Sequence, residues 1–104
     1  MTDLSGRISL VTGGSRGIGR AIVRQLALAG SSVAFVYQSN KDAADSLAAE
    51  LTSSGHTVLA IQGDVSKKSD VDAIVEQVLS KWSKIDILVN NAGIIRDKPV
   101  LAMS

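Results

Sequence analysis

Apolar residues are distributed along the chain in two alternating patterns. Short, mostly apolar runs occupy residues 8–11, 33–37, 57–62 and 85–89, and their content of β-branched residues is typical of buried strands. In the stretches between these runs, apolar residues recur every three or four positions, which is typical of amphipathic helices. The two patterns together predict the element order β-α-β-α-β-α-β.

Each predicted helix has a recognisable boundary and one apolar face. Gly30 and Gly55 are expected to end the first and second helices, because glycine readily adopts the left-handed conformation found there. Asn40 precedes the second helix, and Ser69 is expected to cap the third, with Asp72 completing an approximate capping box. The residues expected on the three buried faces are Ile18, Ile22, Leu26 and Ala29, then Ala44, Leu47, Ala48 and Leu51, then Val71, Ile74, Val75, Val78, Leu79 and Trp82.

This order of elements predicts an α/β protein, a three-layer α/β/α Rossmann fold with a parallel sheet and right-handed crossovers. The expected strand order is 3-2-1-4, which places a ligand at the carboxyl ends of the strands where the order reverses. At 104 residues the chain is expected to form one domain, 1–104. Because the sequence stops soon after the fourth strand, we expect that strand to be an unpaired apolar edge and the chain to self-associate.

The first strand leads into a glycine-rich segment, residues 12–19, with the sequence TGGSRGIG. Gly13 and Gly14 are expected to allow a sharp turn, Gly17 to let the backbone approach a ligand, and Gly19 to let the helix lie close to the sheet. Unpaired amides and the helix dipole at this point favour a phosphate. A tight turn would also explain the glycines, but their position at the first crossover favours a dinucleotide. A P-loop is excluded, because the Lys and Ser/Thr that it needs are replaced by Arg20 and Ala21.

The composition narrows the possible functions. A net charge of +1 lacks the bias of a nucleic-acid binder, so no nucleic-acid partner is expected. The absence of cysteine excludes disulfides and thiolate chemistry, and a single histidine, His56, argues against a histidine-based metal site. No apolar run is long enough for a signal peptide or a membrane span, so we expect no membrane partner and a cytoplasmic location.

Three motifs together resemble the short-chain dehydrogenase/reductase family. They are T-G-x-x-x-G-x-G at residues 12–19, Asp64-Val65 after the third strand, and N-N-A-G at residues 90–93. The resemblance covers essentially the whole chain and implies the NADP(H)-binding N-terminal part of such an enzyme, without its catalytic C-terminal half. Residues 93–97, GIIRD, further resemble the branch that transfers hydride to 3-oxoacyl groups carried on acyl carrier protein in fatty acid synthesis.

The resemblance implies three groups of cofactor contacts. Asp64 would accept a hydrogen bond from the adenine amino group, with Val65 packed on the ring, although an Asp after a strand is also typical of a turn. Asn90 would also brace the sheet. The residues that would contact the pyrophosphate and adenosine ribose are Gly13, Ser15, Arg16, Ile18 and Gly19, and those that would line the approach to the ribose and nicotinamide are Asn90, Ala92 and Gly93.

The end of the second strand favours NADP(H) over NAD(H). An NAD site places a carboxylate about twenty residues beyond the glycines, where it binds both ribose hydroxyls. Here no carboxylate occurs until Asp42. A carboxylate would repel a 2′-phosphate, whereas Ser39, Asn40 and the nearby Arg16 can bind one. The predicted cofactor is therefore NADP(H).

No catalytic residue is assigned. The family requires a Tyr-x-x-x-Lys pair on a later helix, in which the Tyr donates the proton. Tyr37 and Lys41 have this spacing, but they lie at the end of a predicted strand, on the adenosine side of the site. Whether the chain is an enzyme therefore stays open. The alternatives are part of a reductase that is inactive alone, a non-catalytic dinucleotide-binding module, and an inert structural fragment.

Overall fold

The computed structural model describes residues 3–14 and 17–91 in full and the backbone of residues 101–103. The elements in chain order are β1 (Ile8–Thr12), α1 (Gly17–Leu28), β2 (Ser32–Tyr37), α2 (Lys41–Ser53), β3 (Val58–Gln62), α3 (Lys68–Trp82), β4 (Ile87–Asn90) and β5 (Leu101–Met103). The first seven agree with the sequence prediction in type and order.

The strands form one sheet in the order β3-β2-β1-β4-β5. β1 is central and runs parallel to both of its neighbours, so that Leu10 lies opposite Ala34 of β2 and opposite Leu88 of β4. The pairing of β2 with β3 is also parallel. The predicted fold class and the strand order 3-2-1-4 are confirmed.

The edge of β4 differs from the prediction. It is paired with the antiparallel strand β5, in which Leu101 lies opposite Val89 and Met103 opposite Ile87. A free strand edge exposes a row of amide and carbonyl groups, and a short apolar segment can satisfy them without a crossover helix if it runs antiparallel. The expectation of an unpaired fourth strand is therefore wrong.

The sheet separates two apolar cores. The first core lies under α1 and α2, and the second core lies under α3. Alternate residues of β2 point to opposite sides, so that Phe35 is in the first core, and Ala34 and Val36 are in the second. Within the described part of the chain, two helices cover one face of the sheet and one helix covers the other, which gives the three predicted layers.

The buried face of α1 is displaced from the predicted one. Ile18 is 73% exposed, and Ile22 and Leu26 are only partly buried against the first core. Small residues let the helix approach the sheet closely, and the larger side chains then lie beside the contact. The buried residues of α1 are Gly19, Val23 and Ala27.

The predicted faces of the other two helices are closer to the structure. In α2 the residues Ala44, Leu47 and Leu51 are buried as predicted. In α3 only Ile74 and Val78 are buried. The predicted apolar face of α3 is wider than the part that the sheet buries. The remaining residues of that face are not fully buried: Leu79 is 42% exposed, Val71 and Val75 are partly exposed, and Trp82 is partly buried against the second core.

Glycines end α1 and α2 as predicted. Gly30 has φ 104° and Gly55 has φ 91°. After each glycine the next amide turns back to the helix, with Ser31 N donating to Leu26 O at 3.1 Å and His56 N donating to Leu51 O at 3.0 Å. This is the Schellman arrangement, which satisfies the last carbonyl groups of a helix.

The start of α3 differs from the prediction. The residue at the N-cap position is Lys67, whose side chain makes no capping hydrogen bond, so the predicted Ser69–Asp72 capping box is wrong. Asp72 instead pairs with Lys68 at 2.9 Å. The carboxylate that reaches back from the first turn is that of Asp70, which accepts a hydrogen bond from Asp64 N at 2.8 Å.

Candidate functional site

The candidate site lies where the order of the strands reverses, at the carboxyl ends of β1 and β4. The chain leaves β1 for β2 on one side of the sheet and returns as β4 on the other side. No crossover closes the crevice between the two strand ends, so this edge of a parallel sheet is where α/β proteins bind ligands. Gly13 and Gly14 follow β1 at this edge, and Asn91 follows β4.

The turn after β1 depends on two different properties of glycine. Gly13 has φ 67°, which confirms the expected sharp turn at this residue. Gly14 has no positive φ, and its requirement is space instead, since an added Cβ would lie 2.6 Å from Phe35 Cβ and 2.9 Å from Val23 Cγ2. The expectation that Gly14 supplies unusual backbone angles is therefore wrong.

The amides of this turn are only partly free. Gly13 N and Gly14 N both donate to Val36 O, at 3.0 and 3.1 Å, and so extend the pairing of β1 with β2. The amides of Gly17 and Ile18 donate to no backbone oxygen of the described residues. The amides that could bind an anion are thus at the start of α1, where the helix dipole would reinforce the interaction.

Gly17 and Gly19 shape the start of α1. Gly17 has φ 62°, and a Cβ added there would have no atom of the described residues within 4 Å, its chain neighbours aside, so they leave the space over this turn open. At Gly19 an added Cβ would collide with the carbonyl oxygen of Gly13 and lie 2.8 Å from Asn91 Nδ2. The predicted close contact between α1 and the sheet is confirmed at Gly19.

A buried hydroxyl joins the ends of β1 and β4. Thr12 Oγ1 donates to Asn90 Oδ1 at 3.0 Å and accepts from Asn91 N at 2.9 Å. Asn90 therefore braces the sheet as expected. The contacts of Thr12 and Asn91 were not predicted from the sequence, in which the available signal was a polar residue at the end of an apolar strand.

The end of β2 presents exposed polar groups. Ser39 and Asn40 are both exposed, and Asn40 caps α2 by accepting a hydrogen bond from Ala43 N at 3.1 Å. The first carboxylate after β2 belongs to Asp42, in the first turn of α2. Gln62, at the end of β3, was not predicted to belong to the site, but it contacts this segment. Its Nε2 atom donates a hydrogen bond to Gln38 O at 3.1 Å.

Asp64 forms a turn at the end of β3. Its Oδ1 atom accepts hydrogen bonds from Ser66 N at 2.9 Å and Ser66 Oγ at 2.6 Å, which lower the pKa of the carboxyl group below its usual value. Its Oδ2 atom accepts no hydrogen bond from the described residues and remains available to a ligand. Val65 packs against the second core.

The Tyr37 and Lys41 side chains are both engaged elsewhere. Tyr37 is 7% exposed in the first core. Lys41 Nζ binds Asp45 at 2.6 Å, and this hydrogen bond raises the pKa of the lysine. Four residues predicted to contact the cofactor lie outside the described residues, namely Ser15, Arg16, Ala92 and Gly93.

The residues present fit a phosphorylated dinucleotide. The open space over Gly17 and the two amides beside it can accept a phosphate group. Ser39 and Asn40 can donate hydrogen bonds to a second anionic group at the end of β2. No carboxylate lies within β2 or the loop after it to repel that group.

The sheet order, together with a glycine-rich turn at the reversal point, defines the Rossmann class of α/β proteins. Within this class, the family model of short chain dehydrogenase matches residues 7–104. The chain belongs to the short-chain dehydrogenase family of oxidoreductases.

Relatives of known name are similar over most of the chain. A 3-oxoacyl-[acyl-carrier-protein] reductase of Synechocystis sp. is 44% identical over 103 residues, which are 99% of this chain and 42% of the relative. A blue fluorescent protein from a metagenomic library, solved in complex with NADPH, has a TM-score of 0.85 and 44% identity over 95% of this chain and 41% of that one. A short chain dehydrogenase from Burkholderia cenocepacia, in complex with NADP, has a TM-score of 0.84 and 42% identity over 91% of this chain and 39% of that one.

The chain spans about two fifths of the length of the curated relatives that it matches. Among the described residues, no helix combines the length and the apolar character that crossing a membrane would require.

Proposed function

We propose that this chain is the NADP(H)-binding part of an oxidoreductase resembling 3-oxoacyl-[acyl-carrier-protein] reductase. The observation that carries the proposal is the start of α1, where the amides of Gly17 and Ile18 donate to no backbone oxygen of the described residues and where a Cβ added at Gly17 would meet none of their atoms within 4 Å. A pyrophosphate seated there would gain hydrogen bonds from the amides and a favourable interaction with the helix dipole.

The rest of the cofactor would extend along the carboxyl edge of the sheet. Asp64 Oδ2 would accept from the adenine amino group, and Ser39 and Asn40 would bind the 2′-phosphate. The NADPH and NADP complexes of similar proteins support this choice of cofactor. The further residues proposed to contact the cofactor are Gly13, Ser15, Arg16, Ile18, Gly19, Val65, Asn90, Ala92 and Gly93.

NADPH supplies a hydride, and the proposed substrate of the whole enzyme is a 3-oxoacyl group carried on acyl carrier protein. The proposed domain is the whole of residues 1–104, and cytoplasmic location remains part of the proposal. The chain contains a single tyrosine, Tyr37, which is buried in the first core. We therefore propose that it does not reduce ketones alone.

Two glycine variants test the cofactor site. Gly17 and Gly6 have φ of 62° and 82°, and a Cβ at either would have no atom of the described residues within 4 Å. Gly17→Ala and Gly6→Ala therefore carry similar backbone strain, about 1–2 kcal/mol each. Only the methyl group at Gly17 would lie at the turn beside the amides of Gly17 and Ile18, where the phosphate is proposed to bind. In a fluorescence titration with NADPH, Gly17→Ala should weaken binding by about tenfold or more, which corresponds to about 1.4 kcal/mol, and Gly6→Ala should not change it.

Three results would separate the alternatives. Equal affinities of the two variants would contradict the proposed phosphate position. A parent chain that does not bind NADPH would favour the inert structural fragment. Binding without reduction of an acetoacetyl thioester, even after addition of the remaining part of a related reductase, would favour a non-catalytic module.

A further inference from the structure

The loop that follows β2 is tied to the end of β3. The parallel pairing of the two strands ends with Tyr37 opposite Gln62. One more backbone hydrogen bond follows, from Gly63 N to Tyr37 O at 3.0 Å. Beyond this point the backbones separate, since β2 leads into α2 and β3 leads into the turn at Asp64.

The side chain of Gln62 extends this pairing by one residue. Its Nε2 atom donates to Gln38 O at 3.1 Å. A carbonyl oxygen can only accept, so the amide group must present its nitrogen to Gln38. The oxygen of a Glu at this position could not replace it.

The other end of the same loop is held by α2. Asn40 Oδ1 accepts from Ala43 N at 3.1 Å, and Ser39 O accepts from Lys41 N at 3.0 Å. The segment Gln38–Asn40 is exposed along its whole length. Among the described residues, the contacts that hold this segment are the hydrogen bond from Gln62 of β3 and the cap of α2.

We propose that Gln62 is a positioning residue that determines the preference for NADP(H) over NAD(H). The inference rests on the proposed function, in which Ser39 and Asn40 bind the 2′-phosphate. Hydrogen bonds to a phosphate require donors held at fixed positions, and groups behind the donors commonly fix them. Gln62 holds the carbonyl group immediately before Ser39. NAD(H) carries a hydroxyl there in place of the 2′-phosphate, so its affinity depends far less on this loop.

The substitution Gln62→Met tests this role. It keeps the length of the side chain and removes the donor. The matched control is Gln77→Met, because Gln77 is also exposed but lies on α3. Dissociation constants for NADPH and NADH are measured by fluorescence titration. Gln62→Met should raise the constant for NADPH by about three- to tenfold, the range expected for one hydrogen bond, and leave that for NADH unchanged. Gln77→Met should change neither constant.

A second measurement uses the protein without cofactor. Amide hydrogen exchange of Lys41 and Ala43 reports the order of the loop, and exchange of Phe35 and Ile61 reports the strands behind it. Gln62→Met should speed the first pair by about three- to tenfold and leave the second pair unchanged.

Failure of the inference can be told apart from failure of the proposed function. If the parent prefers NADPH and Gln62→Met weakens both cofactors equally, or neither, the positioning role is wrong. Unchanged exchange of Lys41 and Ala43 in Gln62→Met would also overturn it. A parent that binds neither cofactor, or both equally, contradicts the proposed function itself and this inference with it.

Discussion

The side chain of Asp86 joins the amino ends of β1 and β4. Its Oδ2 atom accepts a hydrogen bond from Ile8 N at 2.8 Å, and its own amide donates to Ile8 O at 2.8 Å. Lys84 Nζ and Arg7 Nη1 lie 3.1 and 3.7 Å from the carboxylate. The backbone hydrogen bond from Ile8, followed by the two cations, holds the pKa of Asp86 below its usual value.

The lowered pKa makes the stability of the protein depend on pH through Asp86. A carboxyl group whose pKa is lower in the folded state stabilises that state fully above its unfolded pKa, about 3.9, and loses the effect as pH falls through the folded value. We expect Asp86→Asn to lower the free energy of unfolding at pH 7. At the acid end of the titration the variant and the parent should have the same free energy of unfolding. Urea unfolding between pH 7 and pH 2 measures this difference.

Asp45→Asn is the control for Asp86→Asn. Asp45 pairs with Lys41 on the exposed side of α2, and exposed ion pairs contribute little to stability. Its effect should be small at every pH. If Asp86→Asn behaved in the same way, the carboxylate would not secure the amino ends of these strands.

At single residues, the sequence shows which positions require a particular residue better than it shows the structural reason for the requirement. The pattern at residues 12–19 correctly indicated a turn and a close helix contact, because only glycine tolerates either. The pattern could not show whether Gly14 is needed for its backbone angles or for lack of space. The space there is limited by Phe35 and Val23, which are not sequence neighbours of Gly14. Gln62 was missed for the same reason, since its hydrogen-bond partner is Gln38 on another strand.

Of the two helices whose N-cap residues the structure describes, α2 and α3, the helix α3 has the less favourable start. Lys67 is in the extended conformation at its N-cap position, with φ −106° and ψ 123°, and makes no side-chain capping bond. In α2 the corresponding residue, Asn40, makes one. The amides at the start of α3 therefore lack a partner that a short polar side chain at residue 67 could supply.

We expect Lys67→Ser to stabilise the protein by about 0.5–1 kcal/mol, because the serine hydroxyl can accept from an amide in the first turn. Lys68→Ser is the matched control, since it makes the same change one residue inside the helix and removes the pair with Asp72. Thermal unfolding should show a higher midpoint for Lys67→Ser and no gain for Lys68→Ser. A gain in both variants would mean that loss of positive charge, and not capping, is the cause.

The elements were predictable where a local pattern decides them. The glycines at 30 and 55 ended their helices as predicted, because the left-handed conformation is a property of the residue itself. The pairing of β5 with β4 was not predictable from pattern alone, since three apolar residues become a strand only when an open edge is available. The buried face of α1 differs from the predicted face. The prediction used the spacing of large apolar residues, which does not show how closely small residues let the helix approach the sheet.

For the whole molecule, the two faces of the sheet are covered unequally. Among the described residues, α1 and α2 cover the first core, and α3 is the helix that covers the second. Val75 and Leu79 lie on the outer side of α3, in a shallow groove of about 410 Å³. The edge of β4 was expected to be the surface for self-association, but it is paired with β5. We therefore propose that the chain self-associates through this face of α3 instead.

We expect the chain to self-associate at micromolar concentration and Leu79→Lys to weaken the association by about tenfold or more, since a charge would have to be buried in an apolar contact. Leu79 is already 42% exposed, so the variant should still fold. Gln77→Lys adds the same charge nearby and should have a smaller effect. Sedimentation velocity provides the measurement. A monomeric parent, or equal effects of the two variants, would contradict this surface.

The central position of β1 also affects the synthesis of the protein. Thr12 and its partner Asn90 are 78 residues apart in the chain. At about 5–20 residues per second, a ribosome needs roughly 4–16 s to make the segment between them. Throughout this time one edge of β1 has no partner strand, although β2 can already be paired with the other edge. The nascent chain is therefore most open to chaperones, and to wrong partners, on the side of β1 that β4 will later occupy.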